Sequence, residues 1–188
     1  MSPPPVSDGQ LIARVVVSDD RHAFSELVRR HQSSLRATLR KLASNAALAD
    51  DLAQEAFLLA YRNLKSFRQD AKFSTWLYRI AYNVFLADAR KMKELPMPED
   101  MDVDALSPPG FAEKNHPARQ AALRIDLERA MSVLSDAERA AIVQCYHNDL
   151  SHEEAAEVLG CPVGTVKTHV LRAKQKMKAR LGAWAPEP

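Results

Sequence analysis

Between residues 94 and 117 the apolar rhythm that paces the rest of the chain stops, and this break constrains the fold more than any other feature. Pro96, Pro98, Pro108, Pro109, Gly110 and Pro117 fall there among acids. Each proline fixes its φ angle and removes an N–H donor, so the segment reads as an extended linker. The blocks on either side must then bury their apolar faces separately, and 188 residues are enough for two such small cores. Hydrophobic residues make up 46% of the chain and glycines number only 5, while Ala, Leu, Arg, Lys and Glu dominate. That composition belongs to helices. The expected fold is all-α: two small helical domains joined by an extended acidic linker, the second containing a helix-turn-helix. The expected division is a disordered tail over 1–10, a first domain over 11–93, the linker over 94–118, a second domain over 119–183 and a tail over 184–188.

In the first block Ala23, Phe24, Leu27, Val28, His31, Leu35, Leu39 and Leu42 recur every three or four residues, which predicts a helix with one buried face. Asp19 or Asp20 can cap its start, and Ser44 and Asn45 interrupt it. Leu48, Leu52, Ala56, Leu59 and Ala60 predict a second helix over about 48–64, followed by a polar loop over 66–73. Ser74 can cap a third helix that carries Trp76, Leu77, Ile80, Ala81, Val84 and Phe85 and runs to about Lys93. In the second block Leu123, Leu127, Ala130, Met131 and Leu134 mark one amphipathic helix. Ser135 with Glu138, and Ser151 with Glu154, have the spacing of capping boxes, each opening a short helix.

The net charge of +2 conceals a strong pattern. Residues 62–93 carry eight Lys and Arg against Asp70 and Asp88. Residues 94–104 carry five acids (Glu94, Glu99, Asp100, Asp102, Asp104) and no base. Residues 163–181 carry six bases and no acid. Two basic blocks around an acidic one suit two anion-binding surfaces joined by something that avoids or imitates nucleic acid; solvated helix faces would look similar.

Residues 151–174 sharpen this. A short helix, a turn at Gly160 and a longer basic helix make a helix-turn-helix plan. Ala156 permits close helix crossing, and Gly160 can take the positive φ that ends the first helix. Val166 and Val170 hold the second helix inward, so Lys167, Thr168, His169, Leu171, Arg172 and Lys174 are expected to point outward. The N-terminal half of such a helix enters the major groove, where Arg172 could pair bidentately with guanine while Lys167 or Lys174 anchors phosphates. Repressors, activators and recombinases use the same plan.

Several classes are excluded or disfavoured. Cys145 and Cys161 form neither a CxxC pair nor a disulfide framework. Cys145, His147, His152 and Cys161 place four potential zinc ligands within 17 residues. Cys145 equally fits a buried helix position and Cys161 the helix-turn-helix turn, so no metal or other cofactor is expected. No nucleophile–base arrangement and no glycine-rich phosphate loop occurs, which argues against an enzyme. No apolar run approaches the roughly 18 residues of a membrane span. The stretch 1–8 lacks the order of a signal peptide. A cytoplasmic protein without direct membrane insertion is expected.

The segment from Gly164 through Thr165, Val166, Lys167, Thr168, His169, Val170, Leu171, Arg172 and Ala173 to Lys174 closely resembles the recognition helix of extracytoplasmic-function (ECF) sigma factors, which typically shows G-T-V-K-S-R followed by R-A-R. Asp51, Gln54, Glu55 and Phe57 match the family's D-x-x-Q-E-x-F motif, and Phe73, Trp76, Leu77, Ile80, Ala81 and Asn83 match its F-x-x-W-L-x-x-I-A-x-N segment. The resemblance spans roughly 23–90 and 127–181 and departs at two positions. Ala87 stands where an aspartate is common, with Asp88 next, and His169 stands where arginine is frequent.

The resemblance implies a group 4 sigma factor that works with core RNA polymerase on promoter DNA. Asp51, Gln54, Glu55 and Phe57 would meet the polymerase. Arg68, Gln69, Asp70, Lys72, Trp76, Arg79, Asn83 and Arg90 would serve the −10 element, with Asn83 beside the pocket for a flipped base. Thr165, Lys167, Thr168, His169, Leu171, Arg172 and Lys174 would serve the −35 element. It also implies an anti-sigma factor, often membrane-bound. Physically, the aromatic rings of 67–85 interleaved with bases suit a surface that stabilises unstacked bases, each stack contributing about 1–3 kcal/mol. Trp76, Leu77, Ile80 and Val84 suit a helix core as well. A stand-alone helix-turn-helix regulator with a helical sensor domain is the alternative.

Overall fold

The computed structural model describes residues 6–43, 45–68, 71–94 and 118–182. These contain eight α-helices and no strand, and the chain divides into two compact units, Met1–Asp102 and Val103–Pro188. The all-α, two-domain expectation holds. The expected linker lies outside the described residues except at its two ends: α4 runs to Glu94 and α5 begins at Ala118.

In the first unit, side chains at the helix starts satisfy donors the helices cannot satisfy themselves. α1, Asp8–Ser18, opens on a capping box in which Ser7 Oγ accepts from the Gln10 N–H at 3.3 Å and the Ser7 N–H donates to Gln10 Oε1 at 2.9 Å. Leu11, Ile12 and Val15 are its buried face. Residues 8–10 are therefore helical, which corrects the expectation of a disordered tail over 1–10. α1 ends at Asp19 in the left-handed conformation, φ 51°. Asp20 then caps α2, Arg21–Leu42, accepting from the Ala23 N–H at 3.0 Å.

α2 buries Leu27, Leu35 and Leu39 completely, each contributing about 1.5–3 kcal/mol. α3, Ala46–Asn63, is capped by Asn45 and turns Ala49, Ala53, Ala56 and Ala60 inward, small side chains that let its neighbours approach closely. A 3₁₀ turn, Leu64–Ser66, follows. α4, Phe73–Glu94, begins one residue before Ser74, which therefore lies in the first turn and is not the cap. The first bond of α4 instead runs from the Trp76 N–H to the Lys72 carbonyl at 3.2 Å. α2, α3 and α4 pack on one another and α1 lies against α2. A hydrogen bond between Ser34 and Tyr78 ties α2 to α4.

The second unit comprises α5 (Ala118–Ser132), α6 (Asp136–Ile142), α7 (His152–Leu159) and α8 (Val163–Gly182). α8 packs against the other three. Both expected capping boxes, Ser135 with Glu138 and Ser151 with Glu154, are formed. A π-helical turn, Val143–His147, continues α6 and carries the fully buried Gln144. On α5, Ala130 is buried but Leu127 is 46% exposed, so Leu127 lies off the core face assigned to it.

Candidate nucleic-acid interface

The helix-turn-helix forms where the sequence signals it. Gly160 ends α7 at φ 65°, with its N–H bonded to the Ala156 carbonyl. Ala155, Ala156 and Val158 of α7 and Val166, Val170 and Ala173 of α8 are buried where the two helices pack. This burial turns Lys167, Thr168, Leu171, Arg172 and Lys174 to the surface, with Thr165 half-buried. The Thr168 hydroxyl donates to the Gly164 carbonyl of its own helix at 2.8 Å. The Lys174 ammonium stands 4.7 Å over the Tyr146 ring of the π-helical turn. His169 departs from its expected outward position. It is half-buried, with Nδ1 enclosed and unpartnered among the described residues, because it lies three residues from Val166 and four from Ala173 and so flanks the core face.

The sequence offers no hint of what fixes the far half of α8. Lys176 Nζ donates to Glu138 Oε2 at 2.7 Å, and the same oxygen accepts the Ser135 N–H at 2.9 Å. The Glu138 side chain is 6% exposed. The Lys176 ammonium, helped by the Ser135 N–H, holds this carboxyl below its ordinary range. One carboxylate thus caps α6 and anchors the recognition helix.

In the first unit the candidate −10 residues form a stripe and a loop. Arg79, Asn83 and Arg90 are exposed and lie within about 40° of one another around α4, opposite the buried Leu77, Ala81 and Val84. Ala87 falls on the same stripe, so the departure from the family pattern leaves no carboxylate there. Trp76 is half-buried at the head of the stripe, in a cluster with Phe67 (ring centroids 5.2 Å apart) and Phe73 (5.8 Å). His31 meets Phe73 edge-on at 5.1 Å, and its Nε2 is 2.7 Å from Asp8 Oδ2 on α1. α1 therefore braces the cluster that anchors the loop. Arg68 and Lys72 are exposed at the loop's edges, and Gln69 and Asp70 lie outside the described residues.

Asp51, Gln54 and Glu55 are exposed on α3. Phe57 is 9% exposed and faces α2, where with Phe24, Val28, Leu58 and Tyr61 it lines an open apolar groove of about 540 Å³. Phe57 is thus a wall of that groove and not a free contact. Among the described residues no three His, Cys, Asp or Glu side chains gather as a metal site, and no helix is long and apolar enough to cross a membrane. Burial raises the thiols of both Cys145 and Cys161.

Residues 27–94 match Sigma-70 region 2, and residues 124–177 match Sigma-70, region 4. The first match contains every candidate residue of the first unit, and the second contains every candidate of the helix-turn-helix. The RNA polymerase sigma-H factor of Pseudomonas aeruginosa is 36% identical over 184 residues, covering 93% of each chain. The ECF RNA polymerase sigma factor SigM of Mycobacterium tuberculosis is 35% identical, over 94% of this chain and 85% of that one. Among solved structures, CnrH in complex with the cytosolic domain of CnrY superposes with a TM-score of 0.67 at 26% identity, over 94% of this chain and 97% of CnrH. The sigma factor RpoE of Bartonella quintana, in complex with the anti-sigma factor NepR, gives the same TM-score and identity over 85% and 96%.

Proposed function

This chain belongs to the ECF sigma factors of the sigma-70 family, and from that premise we propose how its residues divide the work of starting transcription. As a sigma factor it works with core RNA polymerase on promoter DNA; members of the family are DNA-binding initiation factors rather than enzymes. In our reading Asp51, Gln54 and Glu55 meet the polymerase, with Phe57 shaping the groove beside them. The α4 stripe of Arg79, Asn83 and Arg90, together with Arg68, Gln69, Asp70, Lys72 and Trp76, engages the −10 element. The exposed face of α8 engages the −35 element.

The observation that carries this reading is the α4 stripe. A helix that needs only to cover a core has no reason to line its open side with two guanidiniums and an amide, headed by a packed aromatic cluster. Promoter opening requires just such a surface, because no covalent step is involved and unstacked bases must be held better than paired ones. Guanidiniums hold phosphates while aromatic faces accept bases. The acidic linker, proposed to span 94–118 between a first domain at 11–93 and a second at 119–183, would follow a path that nucleic acid later takes and be displaced by it.

The RpoE and CnrH structures, solved with NepR and with the cytosolic domain of CnrY, support extending control by an anti-sigma factor to this chain. We expect such a partner, membrane-associated, to cover the polymerase- and DNA-binding faces, and we place the protein in the cytoplasm. Two surface variants test the residue assignments. Combined Asp51→Ala, Gln54→Ala and Glu55→Ala should keep the helical circular dichroism but fail to co-elute with core polymerase. Combined Arg79→Ala and Asn83→Ala should co-elute normally yet fail to open duplex promoter. Undiminished co-elution of the triple variant would overturn the polymerase assignment, and normal opening by the double variant would overturn the −10 assignment.

A further inference from the structure

We infer that Asp8 and His31 form a latch through which α1 positions the −10 loop for promoter opening. The inference rests on the proposed assignment of Arg68, Lys72 and the α4 stripe to the −10 element. Asp8 stands in the first turn of α1, and His31 lies midway along α2. A carboxylate oxygen can only accept, so the 2.7 Å contact between His31 Nε2 and Asp8 Oδ2 places a proton on Nε2 and orients the ring. The other oxygen, Oδ1, accepts from Arg30 Nη1 at 3.0 Å, and the same nitrogen donates to the Val6 carbonyl at 2.7 Å. With both oxygens engaged the carboxylate has little freedom to turn, and the imidazole is held with it.

That imidazole meets the Phe73 ring at 5.1 Å with the two planes 65° apart. Phe73 is 4% exposed and packs with Phe67 and Trp76, each ring 5.8 Å away. Arg68 follows Phe67 in sequence and Lys72 precedes Phe73, so both edges of the loop move with these rings. α1 also packs on the 3₁₀ turn Leu64–Ser66 that leads into the loop. It thus reaches the loop at both ends, by packing at the entry and through Asp8, His31 and Phe73 at the exit. Docking of α1 does not itself need the latch, because Leu11, Ile12 and Val15 are already buried. The pair bears instead on the ring at the head of α4, and that gives it its own task as a pair of positioning residues.

The test uses the full chain with Trp184→Phe, which leaves Trp76 as the single tryptophan, assembled with core polymerase on a mapped promoter carrying 2-aminopurine in the −10 element. Asp8→Ala and His31→Ala should each lower the open-complex equilibrium about five-fold. Each should also move Trp76 emission to longer wavelength, while helical circular dichroism and co-elution with core polymerase stay as in the wild type. The double variant should be no worse than the more damaging single one, since both act along one path. Asp8→Asn, which keeps an acceptor for Nε2, should recover most of the loss. Arg30→Met, which removes the other partner of Asp8 and leaves His31 in place, should open the promoter normally. Normal opening by Asp8→Ala or His31→Ala, or a loss of opening without a change in Trp76 emission, would overturn the inference. So would an Arg30→Met defect equal to that of Asp8→Ala, which would reduce the pair to a tether for α1. Normal opening by combined Arg79→Ala and Asn83→Ala would instead remove the −10 assignment, and this inference with it.

Discussion

Glu138 offers the sharpest test of how the recognition helix is held. Its carboxylate accepts two charge-assisted hydrogen bonds on one oxygen, from the Ser135 N–H at 2.9 Å and from Lys176 Nζ at 2.7 Å. Glu138→Gln keeps an acceptor for the cap and loses the ion pair; Glu138→Ala loses both. The ion pair joins a side chain that is 6% exposed to one that is 47% exposed, so its worth lies between that of a surface pair and a buried one, about 1–2 kcal/mol. The cap adds about 1 kcal/mol. Glu138→Gln should therefore cost about 1–2 kcal/mol and Glu138→Ala about 2–3 kcal/mol. In a domain of this size each kcal/mol lowers Tm by about 4–8 °C. Thermal unfolding of the full chain followed by circular dichroism measures this, and a double-mutant cycle with Lys176→Met isolates the pair.

The pH dependence has a definite sign. The folded-state pKa of Glu138 lies below its ordinary value of 4.5. Its contribution is therefore complete above that value and is lost as pH falls through the depressed one. Glu138→Gln should be the less pH-sensitive protein in this acid range. Equal stability of wild type and Glu138→Ala, or a cycle with no coupling, would mean that Glu138 neither caps α6 nor anchors α8.

Three further outcomes follow from other parts of the molecule. A Cβ at Gly160 would meet nothing within 4 Å, so Gly160→Ala should cost only the left-handed backbone strain, about 1–2 kcal/mol, and Gly160→Asn distinctly less, as read by denaturant unfolding. For promoter-bound holoenzyme, Lys167→Ala should weaken binding at all −35 sequences alike and flatten the salt dependence by about one ion, whereas Arg172→Ala should cost about 1–3 kcal/mol and relax preference at one base pair. Because burial raises both thiols, Cys145 and Cys161 should react slowly with a thiol-specific dye at neutral pH and rapidly once the chain is unfolded.

The parts of the fold legible in the sequence are those set by local chemistry. The capping boxes at Ser135 and Ser151, the Gly160 turn and the leucine stripe of α2 depend on residues within one or two turns of each other, and all form. α1 carries the same kind of signal, Ser7 three residues before Gln10 and then Leu11, Ile12 and Val15, but the prolines just upstream make the stretch look like a tail. Contacts across the chain leave no local trace. Lys176 finds Glu138 from 38 residues away and Asp8 finds His31 from 23, so neither pairing can be read from spacing. The half-burial of His169 is of a third kind. Its position borders the core face, and only the packing of α8 against its neighbours decides on which side it falls.

The sigma role is tested most directly by in vitro transcription by core polymerase from the source bacterium, on a pool of its promoter fragments, with and without this protein. Specific transcripts should appear only when the protein is added, with starts that share −10 and −35 elements, and the protein alone should bind the same fragments weakly. No specific transcript, together with tight binding to duplex DNA without polymerase, would contradict it and leave a stand-alone regulator in its place.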